Sequence, residues 1–283
     1  MKKNKGPLWT LSPIVLWLTI LVAVPLLIVI AMGFLSRGTY GQVEFKFTLK
    51  NYISIFNPLY MKMLMYSLWI SLFTTIICLI LGYPFAYYIA KAPKKLSGIL
   101  LMLIIVPFWT NSLIRTYSWI TLLRTNGVIN SYLLKLGIIA DPLQLLYTNG
   151  AVLLGLVYTL FPFMVLPLYA SIDSLDKSYI EAANDLGARP FVTFFKITVP
   201  LTMPGIVAGC ILVFIPTLGL FFIPDLMGGS KIMLISNFIK NQFLTARDWP
   251  LGSAASIVII GLTFVLIGVY LKIAGTNNKT EVL

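Results

Sequence analysis

Six apolar runs, each near the length a helix needs to cross a bilayer, constrain this chain more than any other feature. They cover residues 8–35, 64–89, 98–114, 151–172, 203–222 and 254–273, and the third, the shortest, can extend past Arg115. A crossing helix takes about 20 residues. Hydrocarbon offers the backbone no hydrogen-bond partner, so unbroken apolar runs of this length must close their N–H and C=O groups internally, as helices. The predicted fold class is an all-α integral membrane protein of six transmembrane helices, with residues 1–283 forming a single transmembrane domain. Charge agrees: 11% of the residues are charged and 59% hydrophobic, against about 25% charged in a soluble domain. Basic residues before the first run resemble a signal peptide, but the run is too long for an h-region, so it reads as the first span.

Six spans put both termini on one side, and the basic residues choose which. Eleven Lys and Arg fall on the N-terminus, the 91–95 turn, the 173–200 loop and the tail; ten fall on the opposite loops. The totals barely differ. Density decides, because Lys2, Lys3 and Lys5, and Lys91, Lys94 and Lys95, crowd into very short segments at span ends. Both termini and the 173–200 loop are therefore expected in the cytoplasm.

Several function classes drop out. The net charge of +12 lies between apolar spans, where lipid head groups and topology account for it, so no nucleic-acid partner is expected. There is no histidine, the commonest general base and metal ligand. No G-x-x-x-x-G-K-[ST] loop occurs, so the chain is not expected to hydrolyse ATP itself. Cys78 and Cys210 sit inside apolar runs and read as small hydrophobes, not as a disulfide or metal pair. No acidic residue is buried at mid-span, where an ion-coupled carrier usually keeps one. The expected protein is not an enzyme, holds no metal or cofactor, and takes its energy from elsewhere.

Between the fourth and fifth spans lies the one long polar helical insert, Glu181–Pro200 within residues 173–200. Asp176 can cap a short helix, Gly187 suits the position past its end, Pro190 fits the first turn of a second helix, and Pro200 is expected to end it. In the first helix Ile180, Ala183 and Gly187 share one side, with Ala182 and Leu186 nearby, a small-residue face that another protein could approach. On spacing alone, an ordinary loop helix packed on its own chain fits as well. Gly205-x-x-x-Gly209 lets a second helix come close, within the chain or across a dimer. Pro25, Pro84, Pro107, Pro162, Pro167, Pro204 and Pro216 bend their helices, with or without a gating role. Residues 127–138 read as a short helix with Ile129, Tyr132, Leu133 and Leu136 toward the membrane.

The insert resembles the EAA loop of binding-protein-dependent ABC importer permeases: Glu-Ala-Ala, three residues, Gly, nine residues, Ile-x-Leu-Pro. Glu181, Ala182, Ala183, Gly187, Ile197 and Pro200 match, and Val199 stands where Leu is usual. The stretches 81–91, 107–119, 154–172, 201–210, 225–229 and 247–256 resemble the B-type permease subunits of bacterial spermidine/putrescine importers. The resemblance implies a type I ABC importer permease (MetI-like) in the bacterial inner membrane. It implies a second, C-type permease, a dimeric ATPase carrying ATP and Mg and docked by the EAA loop, and an external polyamine receptor. Other small solutes stay open as substrates; an ion-coupled carrier would leave the EAA pattern a coincidence.

A polyamine is a flexible polycation that seeks carboxylates and aromatic faces. The candidates for its path are Asp225, Trp109, Asn111, Tyr158, Phe161, Tyr83, Tyr87 and Phe222. Asp225 could instead pair with an arginine such as Arg115, and each aromatic could instead pack in the core or face lipid. Residues 127–138 could lie beneath a docked receptor or rest on lipid.

Overall fold

A computed structural model describes residues 6–39, 41–229 and 232–277; Lys2, Lys3, Lys5 and the end of the tail lie outside the described residues. The described residues fall into two compact units.

The first unit holds the described residues up to Met61 together with Phe238–Val269. It contains α1 (Gly6–Gly33), β1 (Leu35–Arg37), β2 (Val43–Phe47), α2 (Lys50–Ile55) and the start of α3 (Pro58–Lys91). Parts of α12 (Ile235–Leu244) and α13 (Trp249–Asn277) complete it. Within residues 12–33 an 18-residue stretch reaches a mean hydropathy of 3.0 with none of it buried inside the chain, as a lipid-facing span requires. The following segment, expected as a loop over 36–63, is folded. The alternation Val43-Glu44-Phe45-Lys46-Phe47 suits a strand, and β2 pairs antiparallel with β1. Gly41, at φ +80°, takes the turn between them. Phe34 stacks on Phe47 at 5.6 Å and lies tilted against Tyr52 at 4.9 Å, and Arg37 pairs with Asp248 at 3.5 Å.

The second unit carries the rest of α3, then α4 (Lys94–Ile105), a 3₁₀ turn over Val106–Trp109, α5 (Ser112–Leu123) and α6 (Val128–Lys135). The long helix α7 (Asn149–Asp173) follows, and then α8 (Ser178–Asp185) and α9 (Pro190–Thr193). A π turn over Phe194–Thr198 leads into α10 (Val199–Leu201) and α11 (Met203–Gly219), with a second π turn at Pro224–Gly228.

Among the described residues, four helices are long and apolar enough to cross a membrane, or six if each of two bent pairs counts as one span. The bent pairs are where the expected third and fifth spans fall. One turns by 93° between Trp109 and Ser112, the other by 66° between Leu201 and Met203. Proline explains both. Pro107 tightens the chain into the 3₁₀ turn, Thr110 goes extended, and Asn111 restarts the helix by accepting the Leu113 N–H at 2.8 Å. At the second break Pro200 and Pro204 each lack the N–H of an unbroken helix. Sequence placed the helix end at Pro200; the helix continues to Leu201 and turns at Thr202. It passes the proline by widening into the π turn, in which the Val199 N–H reaches the carbonyl of Phe194.

Two clusters of buried side chains stack along α7. Val152 and Leu156 join Ile70, Ile120, Ile223 and Met227 in one. Leu160, Met164, Val165 and Leu168 join Cys78, Ala86, Ile89 and Val213 in the other. Cys78 and Cys210 are free thiols. The Gly205–Gly209 pair works within the chain: a Cβ on Gly205 would come 2.7 Å from the Pro167 carbonyl, and one on Gly209 would come 2.7 Å from Met164 Sδ. The small residues thus let α11 lie close against α7. Gly205→Val is expected to hold the two helices apart and cost about 1–3 kcal/mol. Gly219→Ala, where a Cβ meets nothing within 4 Å, is expected to be near neutral. Thermal unfolding of the purified protein in detergent would measure both.

Candidate coupling and transport site

The polar insert closes through its own backbone. Gly187 sits at φ +77° just past α8. Its N–H bonds to Asn184 O at 2.9 Å, and the Ala188 N–H bonds to Ala183 O at 3.0 Å. This is a Schellman closure, which needs a left-handed residue and so favours glycine. At the other end Asp176 Oδ1 accepts the Ser178 N–H at 3.0 Å. The expected N-cap is thus one position early, an Asx turn with Lys177 leading into the helix. The Ser178 N–H, with its hydroxyl, holds the exposed Asp176 carboxyl below the ordinary carboxylate range. Because that pKa is lowered, the turn's contribution is present at neutral pH and is lost as pH falls through it.

The face expected to meet another protein is divided, with Gly187, Ala182 and Leu186 exposed and the other two residues turned inward. Ala183 is buried and Ile180 half-buried against the chain itself, because α8 folds back onto α9 and the π turn. The outward side carries Tyr179, Ala182 and Leu186, the last 89% exposed. Glu181 is also exposed and borders a cavity of about 860 Å³ with Ile180, Lys91, Lys94, Tyr87 and Tyr169. Ile197 is half-buried and Pro200 exposed on the second helix of the insert.

The insert is keyed into α3. Phe194 sits edge-on to both Tyr83 at 5.5 Å and Tyr87 at 5.6 Å, and Lys91 Nζ lies 4.3 Å over the Tyr87 ring. At the bend Thr202 is fully buried. Its hydroxyl pairs with the Tyr83 hydroxyl at 2.8 Å and reaches the Thr198 carbonyl at 2.8 Å. Sequence reasoning missed Phe194 and Thr202. The signal for Phe194 was an aromatic pair inside an otherwise polar loop. Nothing local marks Thr202, whose partner is 119 positions away.

The eight path candidates do not form one group. Tyr83 and Tyr87, on α3, pack against the insert, as above. Phe161 lies edge-on to Phe85 at 5.9 Å. Trp109 is 75% exposed and Asn111 serves as the cap of α5. Tyr158 lies edge-on to Trp119 at 5.4 Å. Asp225 accepts a short hydrogen bond from Asn237 Nδ2, whose other contact is the Phe221 carbonyl at 2.8 Å. Phe222 packs against the first core cluster. In α6 the inward residues are Ile129, Asn130 and Leu133, while Tyr132 and Leu136 are 63% and 70% exposed. Asn130, fully buried, donates to Thr125 O and Leu143 O and accepts the Leu143 N–H, which fixes the loop after α6.

Proline-broken apolar helices around a glycine-paired core, with a capped polar knob set between spans, make this a multi-pass helical membrane protein. Residues 82–275 match the family described as "Binding-protein-dependent transport system inner membrane component", and the chain belongs to that family. It is 50% identical to the spermidine/putrescine transport system permease protein PotB of Escherichia coli (strain K12), over 94% of this chain and 97% of that one. With the Haemophilus influenzae protein of the same name identity is 47%, over 98% of this chain and 96% of that one. The fold is that of a bacterial alginate ABC transporter, crystallised in complex with alginate pentasaccharide-bound periplasmic protein. The TM-score is 0.72 at 19% identity, covering 94% of this chain and 92% of that one.

Two substitutions probe the knob. Thr202→Val leaves the Tyr83 hydroxyl buried without its partner and is expected to cost about 1–3 kcal/mol, read as a lowered midpoint of unfolding; Tyr83→Phe in the same background should restore part of it. Gly187→Val meets no neighbouring atom but must adopt a left-handed backbone. A loss of about 1–2 kcal/mol is expected, with faster amide exchange confined to the end of α8.

Proposed function

We propose that this chain is the B-type permease subunit of an ATP-driven polyamine importer of the bacterial inner membrane, with both termini in the cytoplasm. The observation that carries the substrate is the 50% identity, spread over 94% of the chain, to a permease named for spermidine and putrescine. The mechanism draws on the Schellman-capped knob. A second, C-type permease completes the path, since one bundle encloses little by itself. A dimeric ATPase, which carries ATP and Mg, seats the outward side of α8 in a groove. Glu181, Ala182, Ala183, Gly187, Ile197 and Pro200 are the coupling residues: Ala182 presents a small surface, Ala183 and Gly187 hold the shape, and Ile197 and Pro200 lie on the return helix. When ATP draws the ATPase together, the knob moves, and Phe194 and Thr202 pass that motion to α3 through Tyr83. An external receptor delivers the polyamine, and selectivity resides mainly there, because the expected external loops carry net positive charge. Along the path Asp225, Trp109, Asn111, Tyr158, Phe161, Tyr83, Tyr87 and Phe222 remain the residues to test.

Cells lacking this chain should regain ATP-dependent uptake of labelled spermidine when it is restored, and lose it on ATP depletion. Uptake that persists without ATP while an ion gradient stands would refute the ATP-driven mechanism. Restored assembly without spermidine uptake would refute the substrate and keep the permease. Glu181→Arg is expected to insert normally yet lower uptake at least about tenfold; unaltered uptake would remove Glu181 from the coupling set.

A further inference from the structure

Arg115, on α5, holds its guanidinium carbon 4.6 Å above the Phe108 ring centre and 5.8 Å from that of Tyr158. Behind these rings stand two more, since Phe108 meets Phe163 edge-on at 5.5 Å and Tyr158 meets Trp119 at 5.4 Å. Four aromatic rings thus collect around one cation. Arg115 Nε and Nη1 are buried and, among the described residues, find no hydrogen-bond acceptor. A guanidinium carries five N–H donors in a fixed fork and is normally buried only where carboxylates or carbonyls receive them. Here the aromatic faces attract the charge, while the unmet donors penalise the position. The seat therefore suits a cation as such better than it suits arginine. A long side chain held by ring faces, with Nε and Nη1 unbonded among the described residues, can leave that seat.

We propose that Phe108 and Tyr158 form a cation site for ammonium groups of the transported solute, and that Arg115 fills it as a tethered stand-in which the solute must displace. The polyamine reading supplies the solute; the site itself follows from cation chemistry. Pro107 sets Phe108 on the turn just before the 93° break, and Tyr158 comes from α7, so the site bridges the broken span and the central helix. While the site is unused, Arg115 keeps other cations out. Once displaced, its charge opposes entry of a second polycation until the first has passed.

The test is binding of labelled spermidine to the assembled transporter in detergent, without its external receptor, measured by equilibrium dialysis. Arg115→Gln should bind about three- to thirtyfold tighter than wild type, the span expected of a freed cation–π site. Arg115→Lys, which keeps a cation but not the flat guanidinium, should fall between them. Adding Phe108→Leu to Arg115→Gln should abolish the gain. The proposal is overturned if Arg115→Gln binds no tighter, or if Phe108→Leu leaves its affinity unchanged. Should Arg115→Gln fail to assemble, Arg115→Lys with and without Phe108→Leu decides by the same criteria. If wild type imports no spermidine but Arg115→Gln gains Phe108-dependent binding, the cation site stands and the polyamine assignment falls.

Discussion

Backbone polar groups in hydrocarbon must find partners within the protein, and the functional geometry of this chain gathers where proline denies them the usual ones. An unbroken helix answers that demand residue by residue and has nothing left over. At Pro107 and at Pro200 the ladder fails, and something else must complete it. Asn111 completes the first break by capping α5. At the second, the Thr202 hydroxyl bonds back to the Thr198 and Val199 carbonyls and across to Tyr83, which fixes the bend. The tyrosine that caught the eye as a substrate contact is thus held by the bend, and through it the polar knob grips α3.

The long helix α7 carries both core clusters because its faces are furnished for close neighbours. Gly205 and Gly209 on α11 admit it from one side, and its own Gly155 admits Met227 and Ile223 from another. In a membrane, apolar surface gains nothing by leaving lipid for protein, so packing depends on such fit and on hydrogen bonds. That is why glycines and buried hydroxyls sit among the large hydrophobes at the contacts here.

Charge is sparing and placed at ends and breaks. Lys91 rests on Tyr87 at the end of α3, and Arg115 rests on Phe108 beside the first break. Both use aromatic faces where carboxylates are scarce, nine acidic residues against 21 basic ones. Aromatic rings let a membrane protein hold a cation without bringing in a second buried charge.

The sequence by itself determined the membrane class, the helical architecture and the capped shape of the knob. Those rest on local quantities: run length, proline and glycine positions, and side chains that bond to backbone two or three residues away. Only the tertiary structure decided which side of α8 faces out, that Gly205 and Gly209 serve an intrachain contact, and that Asn130 holds the loop after α6. It alone brought Arg115 to Phe108 and Tyr158, and Tyr83 to Thr202. Each of these joins residues from different helices, or from a helix and a loop. A pattern of periodicity along one helix carries no record of what the neighbouring helix will demand.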